Sequence, residues 1–260
     1  MGKLKYTFDD YINNPSGKGS AVLASINKDQ FEKELMTLEA NNSKATYKIY
    51  KQNKSGGKFT YYIHFLIPSS TKGFFNDVVI ELNSNPDDNT VTKTVKAYYV
   101  KFFSNDSNFV YTYAYSFKSH GVLITELEKL LPFRCISQKP VMRNPDNAMG
   151  YNKGIIYAYL IMIRDGLFNK ETLNRNCKYA SINAIRSTIL PFDKKLQERR
   201  KIEEELKKAG KKQEQRSSKI VKSKNLLGPD KKQEPAKVSK TVSTVKTTSK
   251  SSTAKKVKKR

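Results

Sequence analysis

The aromatic residues of this chain stop at Phe192, and this break constrains the fold more than any other feature of the sequence. All 15 tyrosines and all 13 phenylalanines lie within residues 1–192. A segment of about 190 residues can bury roughly 70% of its surface, which is enough for one hydrophobic core. The residues beyond it lack the large apolar side chains that offset the entropy of ordering a chain. We therefore expect one globular domain over residues 1–192.

Most of the positive charge lies beyond this break. The chain has a net charge of +25, of which residues 211–260 contribute +14, with 17 basic and three acidic residues. We expect 193–210 to form an exposed charged helix that projects from the domain and ends at Gly210, with a coiled coil as the alternative. We expect residues 211–260 to be a disordered tail rich in Lys, Ser and Thr.

The N-terminal half of the domain has the alternating apolar pattern and turn-forming residues typical of β-hairpins. The predicted strands are 45–50 paired with 59–67, then Val78–Leu82, then Val95–Phe103 paired with Phe109–Phe117. A helix precedes them, because Asn27 and Gln30 can form a capping box at its start. An antiparallel sheet, a sandwich and a small barrel all fit this order of strands.

The C-terminal half of the domain has helical periodicity. Predicted helices cover Leu123–Leu131 and Tyr179–Leu190, where apolar residues recur at helical spacing. The stretch Ile155–Ile163 is apolar throughout, so its period does not distinguish a helix from a strand, and we favour a helix for its length. The fold class is therefore α+β, with an antiparallel β-rich N-terminal half and a helical C-terminal half.

The sequence contains no recognisable catalytic or metal-binding motif. His64 and His120 are expected to be structural histidines rather than general bases. Cys135 and Cys177 lack the spacing of metal ligands, and we expect both to be reduced, buried thiols. We therefore predict no catalytic residues, no metal and no cofactor, and a divergent metal-dependent nuclease stays only as an alternative.

Aromatic residues alternate along the predicted strand Phe109–Phe117 and would share one of its faces. Tyr111, Tyr113 and Tyr115 form the centre of this row, and exposed rings of this kind stack on the bases of single-stranded nucleic acids. The other interpretation places them in a core or a subunit interface. Few cations accompany the rings, which favours a core or an interface.

The tail carries the clearest sign of a partner. An unstructured polycation binds phosphates by releasing condensed counterions, without reading a base sequence. An anionic membrane and an acidic protein surface are the alternative partners, and a tail that only aids solubility is the remaining alternative. The residues predicted to bind nucleic acid are Lys231, Lys232, Lys237, Lys240, Lys246, Lys250, Lys255, Lys256, Lys258, Lys259 and Arg260.

Two stretches resemble a family of tailed-bacteriophage proteins. They are YYVKFFSNDSNFVYTYAYSF at 98–117, followed by the predicted helix Gly121–Leu131, and PVMRNPDNAMGYNKG at 140–154. The resemblance implies a structural or virion-associated role, contacts with other virion subunits or with copies of the chain, and a location in the host cytoplasm or the virion. It assigns no site residues.

These observations predict a non-enzymatic phage structural or virion-associated protein whose basic tail binds nucleic acid electrostatically. A sequence-nonspecific single-strand-binding protein that uses the aromatic strand is the alternative. We expect no membrane span, because the longest apolar run, Ile155–Ile163, is shorter than the about 20 residues that a span needs. We also expect no secretion by a signal peptide, because the N-terminus lacks an apolar h-region.

Overall fold

The computed structural model describes residues 6–13, 27–84, 94–150 and 152–226. The fold is α+β, as predicted, with a five-stranded sheet built mainly from the N-terminal half and helices in the C-terminal half. The chain divides into two units, 1–211 and 212–260. The sheet belongs to the first unit, and the predicted tail beyond Leu226 lies outside the described residues.

The sheet is an antiparallel meander of four strands with a fifth, parallel strand at one edge. The strands are β1 (Thr46–Asn53), β2 (Phe59–Pro68), β3 (Phe75–Asn83), β4 (Tyr99–Ser104) and β5 (Cys177–Tyr179). Their spatial order is β4-β3-β2-β1-β5, and β5 runs parallel to β1. The first predicted hairpin is confirmed as the β1–β2 pair, and the predicted third strand is confirmed as β3.

The helices of the described chain differ widely in length. They are α1 (Phe8–Asn13), α2 (Lys28–Asn41), α3 (Ala114–Ser119), α4 (Phe133–Ser137), α5 (Lys153–Arg164), α6 (Lys170–Asn176), α7 (Ile182–Arg186) and α8 (Phe192–Leu226). The start predicted for α2 is confirmed, since the Asn27 side chain accepts a hydrogen bond from the Gln30 N–H at 3.2 Å. The predicted apolar helix is confirmed as α5, which is buried from Gly154 to Met162.

The pleat gives the sheet one apolar face and one partly polar face. The Val78 side chain contacts the backbone of α5 at Gly154, so the residues of β3 that share its direction face α5. Their neighbours in the strand, Asp77 and Glu81 among them, point to the opposite face, because successive strand residues alternate. His64 of β2 shares that opposite face. These polar side chains are nonetheless buried, because the C-terminal elements cover them.

The strand predicted for Phe109–Phe117 is wrong, because these residues are helical. A turn of π-helix leads directly into α3. The place beside β4 that a partner strand would occupy is taken by Val122–Ile124, whose backbone exchanges hydrogen bonds with Phe102. The Asp106 carboxylate accepts a hydrogen bond from the Asn108 N–H at 3.1 Å, so the apparent hairpin turn begins a helix.

Three further predicted elements are shorter than expected. The predicted strand Val95–Phe103 contains only β4. The predicted helix Leu123–Leu131 is a short 3-10 helix, Thr125–Leu130, and Leu123 itself bridges to β4. The predicted helix Tyr179–Leu190 contains only α7, because Tyr179 pairs with β1 as part of β5. In both predicted helices, the first residue instead pairs with a strand of the sheet, and local periodicity does not report such a pairing.

α8 is longer than the helix predicted for 193–210, and its N-terminal end contacts the domain. It runs to Leu226, so Gly210 lies within it and the predicted end of the helix at Gly210 is wrong. Phe192 is only 2% exposed. Lys195 forms an ion pair of 3.4 Å with a buried carboxylate of β3. The first turns of α8 therefore pack against the domain.

Candidate nucleic-acid interface

The three tyrosines predicted to stack on bases do not form one platform. Alternate residues of a helix lie about 200° apart around its axis, so Tyr113 points away from Tyr111 and Tyr115. Tyr113 is half-buried against Gly150, and burial raises the pKa of its phenol. Tyr115 is also half-buried, whereas Tyr111 is 39% exposed. The candidate tail residues, 231–260, lie outside the described residues.

Tyr111 lies in a cleft of about 440 Å³, which we call the Tyr111 cleft. Its walls come from the π-helical turn, from α4 and from the loop that follows α4. The lining residues are Tyr111, Arg134, Cys135, Gln138, Lys139, Pro140, Val141, Met142 and Arg143. The cleft therefore combines an aromatic ring, three cations and exposed apolar side chains.

The ring of Tyr111 is held between an aromatic and a cationic neighbour. Phe192, the first residue of α8, meets it nearly at a right angle, with 5.5 Å between the ring centroids. The guanidinium carbon of Arg143 lies 5.5 Å from the Tyr111 centroid, within the range of a cation–π contact. Arg143 itself is exposed, so its guanidinium is open to solvent.

The buried side chain of Asn144 fixes the position of the loop that carries Arg143. Its amide nitrogen donates hydrogen bonds to the carbonyl oxygens of Thr112 at 3.2 Å and Ala148 at 2.8 Å. Its amide oxygen accepts one from the Ala148 N–H at 2.9 Å. Because Thr112 follows Tyr111 directly, these bonds set the distance between Arg143 and the ring.

The Tyr111 cleft carries positive charge that is not neutralised by ion pairs. In the described part of the chain, Arg134, Lys139 and Arg143 form no salt bridge with any carboxylate. Burial raises the pKa of the Cys135 thiol in the same cleft, while both arginines lower it and Asp193 raises it. Asp193 is thus one acidic group near three cations, and the cleft suits an anionic ligand.

The rim of the cleft exposes large apolar side chains. Met142 is 96% exposed and Val141 is 67% exposed, both at the tip of the loop. Phe133, at the start of α4, is 78% exposed. Exposed apolar groups beside unpaired cations are typical of a binding surface rather than of an inert one.

A larger cleft of about 920 Å³ lies between α2, the end of β2, α5 and α8. Its central carboxylate, Glu34, accepts hydrogen bonds from the Lys153 ammonium and the Tyr157 hydroxyl, both at 2.9 Å. The Lys153 contact lowers the pKa of Glu34. Arg199, at the edge of this cleft, pairs with Glu203 at 2.9 Å. The cleft thus mixes opposite charges that largely satisfy one another.

The buried polar cluster on the sheet is a third feature. His64 Nε2 lies 2.9 Å from Asp77 Oδ1, and the Asn105 amide donates to Asp77 Oδ2 at 2.7 Å. His64, Asp77 and Asn105 are all less than 10% exposed, and Lys195 approaches from α8. As predicted, His64 is a hydrogen-bonded histidine. The His120 ring also contacts the chain, with its Nδ1 2.8 Å from a backbone carbonyl oxygen.

Other expectations concern cysteines, metals and membranes. Cys135 and Cys177 are free thiols, but both are half-buried rather than buried. Among the described residues, no three His, Cys, Asp or Glu side chains are grouped closely enough to hold a metal ion. None of the helices in the described ranges has the length and apolar character needed to cross a membrane.

Comparison with protein-family models, with curated proteins and with solved structures finds no significant match. The resemblance of residues 98–154 to phage proteins therefore stays a prediction. Sequence reasoning named Tyr111 but missed the cations around it. The sequence does contain a pattern that could have indicated these cations, because residues 132–145 hold three basic residues and no acidic one.

Proposed function

We propose that this protein is a non-enzymatic nucleic-acid-binding protein whose basic C-terminal tail binds phosphates without reading sequence. The observation that carries the proposal is the net charge of +14 over residues 211–260. Three further cations without ion pairs, in the Tyr111 cleft of the domain, support an anionic partner. Each phosphate neutralised by Lys or Arg releases a counterion, and this release drives binding.

The distribution of the tail cations favours a nucleic acid over a compact acidic protein. Pairs and single lysines recur along the sequence from Lys231 to Arg260, separated by Ser, Thr and Val. A long polyanion with charges at short, regular intervals, about 1.7 Å per charge in duplex DNA, can meet all of them. A small acidic patch can meet only a few.

We further propose a structural or virion-associated role in a phage particle, on the basis of the resemblance over residues 98–154. In this role the domain contacts other subunits or copies of itself, and the tail contacts nucleic acid. Purified particles should then contain the protein at a fixed copy number. Absence of the protein from particles would contradict this part of the proposal.

The tail is tested by the salt dependence of DNA affinity in the full-length chain. One variant replaces the five terminal cations, Lys255, Lys256, Lys258, Lys259 and Arg260, with Gln. The slope of log affinity against log salt should become shallower by up to about 4, since each lost phosphate contact removes about 0.7–0.9 from it.

A matched control replaces five exposed lysines of the domain with Gln. Suitable positions, all exposed in the structure, are Lys44, Lys48, Lys58, Lys72 and Lys178. This control should keep the slope of the unmodified chain. Equal slopes for the unmodified chain and the tail variant would show that the tail makes no phosphate contacts. DNA incubated with Mg²⁺ or Mn²⁺ should stay intact, and its cleavage would favour the nuclease alternative.

A further inference from the structure

We propose that the Tyr111 cleft binds an unpaired nucleobase and its flanking phosphates, which gives the protein a preference for single-stranded nucleic acid. This inference rests on the proposed function, because it names the form of nucleic acid that the domain selects. The tail binds phosphates of either form. The cleft adds a contact that only an unstacked base can make.

The stacking element is the pair formed by Arg143 and Tyr111. Arg143 is exposed, and its guanidinium carbon lies 5.5 Å from the centroid of the Tyr111 ring. Unpaired bases stack on arginine planes and aromatic rings, whereas the base faces of a duplex are covered by neighbouring base pairs. A base that stacks on Arg143 therefore has to come from a single strand, a loop or a strand end.

Flanking phosphates have two further cations available. Arg134 and Lys139 line the same cleft and are exposed. Within the part of the chain that the structure describes, the Arg134 side chain donates only to the neutral amide of Gln138, at 3.2 Å, so its charge is available to a ligand. A guanidinium binds a phosphate through two parallel hydrogen bonds, which suits a strand that runs past the stacked base.

The exposed apolar side chains at the rim complete the site. Met142 and Val141 stand beside Arg143 on the same loop, where they can cover the edge of a stacked base. An acidic peptide would use the cations, but its Asp and Glu side chains have no aromatic ring to stack on Arg143. A single strand uses the cations, the stack and the apolar rim together, and is the occupant that fits all three.

Contacts within the chain hold the walls of the cleft in place. Asn144 holds the loop through three hydrogen bonds, and Phe192 fixes the ring of Tyr111 from its edge. A preformed site avoids the entropy of ordering a loop on binding.

The test compares a fluorescent oligothymidylate of about 12 nucleotides, within the span of known single-strand sites, with a duplex of the same length. Both are titrated with the full-length chain at a salt concentration that weakens the tail contacts. Arg143→Lys keeps the charge and removes the stacking plane, and Tyr111→Leu removes the ring. Each should weaken single-strand binding by at least about fivefold, the lower limit for one lost base stack. Duplex binding should change by less than about twofold.

Arg175→Lys is the matched control, because Arg175 is exposed and remote in sequence from the cleft. It should leave both affinities unchanged. Tyr111→Leu also changes the contact with Phe192. If Tyr111→Leu unfolds the protein, Arg143→Lys is the decisive variant. Arg143 is exposed and forms no salt bridge among the described residues, so its exchange for Lys should leave the fold intact.

Cysteine alkylation gives a second readout in the unmodified chain. Oligothymidylate should slow the modification of Cys135, which lines the cleft, and leave that of Cys177 unchanged. Protection of neither cysteine, or equal protection of both, contradicts binding in the cleft. Protection of Cys135 by anionic phospholipid vesicles but not by oligothymidylate would likewise overturn the proposal in favour of a membrane.

The two proposals fail separately. The proposed base site is wrong if Arg143→Lys lowers the single-strand and duplex affinities equally, or if it lowers neither of them. This holds even when the tail variant changes the salt slope. If the tail variant leaves the slope unchanged while Arg143→Lys removes the single-strand preference, the cleft is the nucleic-acid site and the role of the tail is wrong.

Discussion

Two carboxylates on the polar face of the sheet differ sharply in what surrounds them. Asp77 has His64 Nε2 at 2.9 Å and the amide of Asn105 at 2.7 Å, and Lys195 completes its surroundings. Burial alone would raise the pKa of Asp77, but these partners hold it below its ordinary value. A buried carboxylate with a full set of partners is thus stable as an anion.

Glu81, on the same face, has far fewer partners. The Asn83 amide donates to its Oε1 at 2.6 Å, and among the described residues nothing donates to its Oε2. Lys101 lies opposite it on β4 and favours the charged form. Burial nevertheless dominates and raises the pKa of Glu81 above its ordinary value of 4.5. The charged form of Glu81 therefore destabilises the folded protein at neutral pH.

We predict that Glu81→Gln stabilises the protein at pH 7. The amide keeps an oxygen for Asn83 and removes a buried charge whose Oε2 accepts no hydrogen bond from the described residues, so the free energy of unfolding should rise by about 1–2 kcal/mol. Because folding raises the pKa, the gain is present above the folded-state pKa and disappears as the pH falls below 4.5. Urea unfolding at pH 7 and at pH 4 measures both values.

Glu32→Gln is the control for this experiment, since Glu32 is exposed on α2. It should leave the free energy of unfolding unchanged at both pH values. A loss of stability in Glu81→Gln at pH 7 would mean that the pairing with Lys101 outweighs the effect of burial.

At the scale of secondary-structure elements, α8 and the sequence expectation disagree about Gly210. A glycine that ends a helix usually takes a positive φ, which other residues adopt at a cost. Gly210 lies inside α8, without a positive φ, and a Cβ built on it meets nothing within 4 Å. The two interpretations therefore predict opposite effects of adding a methyl group.

We predict that Gly210→Ala strengthens α8. Alanine in a helix interior is favoured over glycine by about 0.5–1 kcal/mol, because less backbone entropy is lost. Ellipticity at the helical band should become more negative, and amide exchange around residue 210 should slow. Gly56→Ala is a control of opposite sign, because Gly56 has a φ of 71° in the β1–β2 turn and alanine is strained there. Less negative ellipticity or faster amide exchange in Gly210→Ala would instead show that the helix ends at Gly210.

The same scale explains which elements the sequence predicts. The β1–β2 hairpin follows from local alternation and a glycine turn, and α5 from a long apolar run. The segment Phe109–Phe117 has equally good alternation, yet it folds as helix because Val122–Ile124 occupies the edge of β4. Which segment pairs with the edge strand depends on tertiary contacts, and the alternation of apolar residues in the sequence does not encode them. The Tyr111 cleft follows the same rule, because Arg143 reaches the Tyr111 ring on a loop that the tertiary bond from Asn144 to Thr112 holds in place.

At the scale of the whole molecule, the sequence and the structure place the C-terminal boundary of the domain at different residues. The end of the aromatic residues puts the limit of the domain at Phe192, whereas the structure assigns residues up to Lys211 to the first unit. Contacts of α8 decide between them. Phe192 is buried against Tyr111, Lys195 pairs with Asp77, and the side chain of Arg199 donates to the Thr71 hydroxyl at 3.1 Å. The first turns of α8 are therefore part of the domain.

We predict that a chain ending at Lys211 unfolds at the same temperature as the full-length chain, and that a chain ending at Pro191 does not. The shorter chain loses the burial of Phe192, about 1.5–3 kcal/mol. It also leaves Asp77 without Lys195, and breaking a buried pair costs about 3–5 kcal/mol. The melting temperature should fall by about 10 °C or more, at about 2–4 °C per kcal/mol. Equal melting temperatures for the two truncations would place the domain boundary at Phe192, where the last aromatic residue lies.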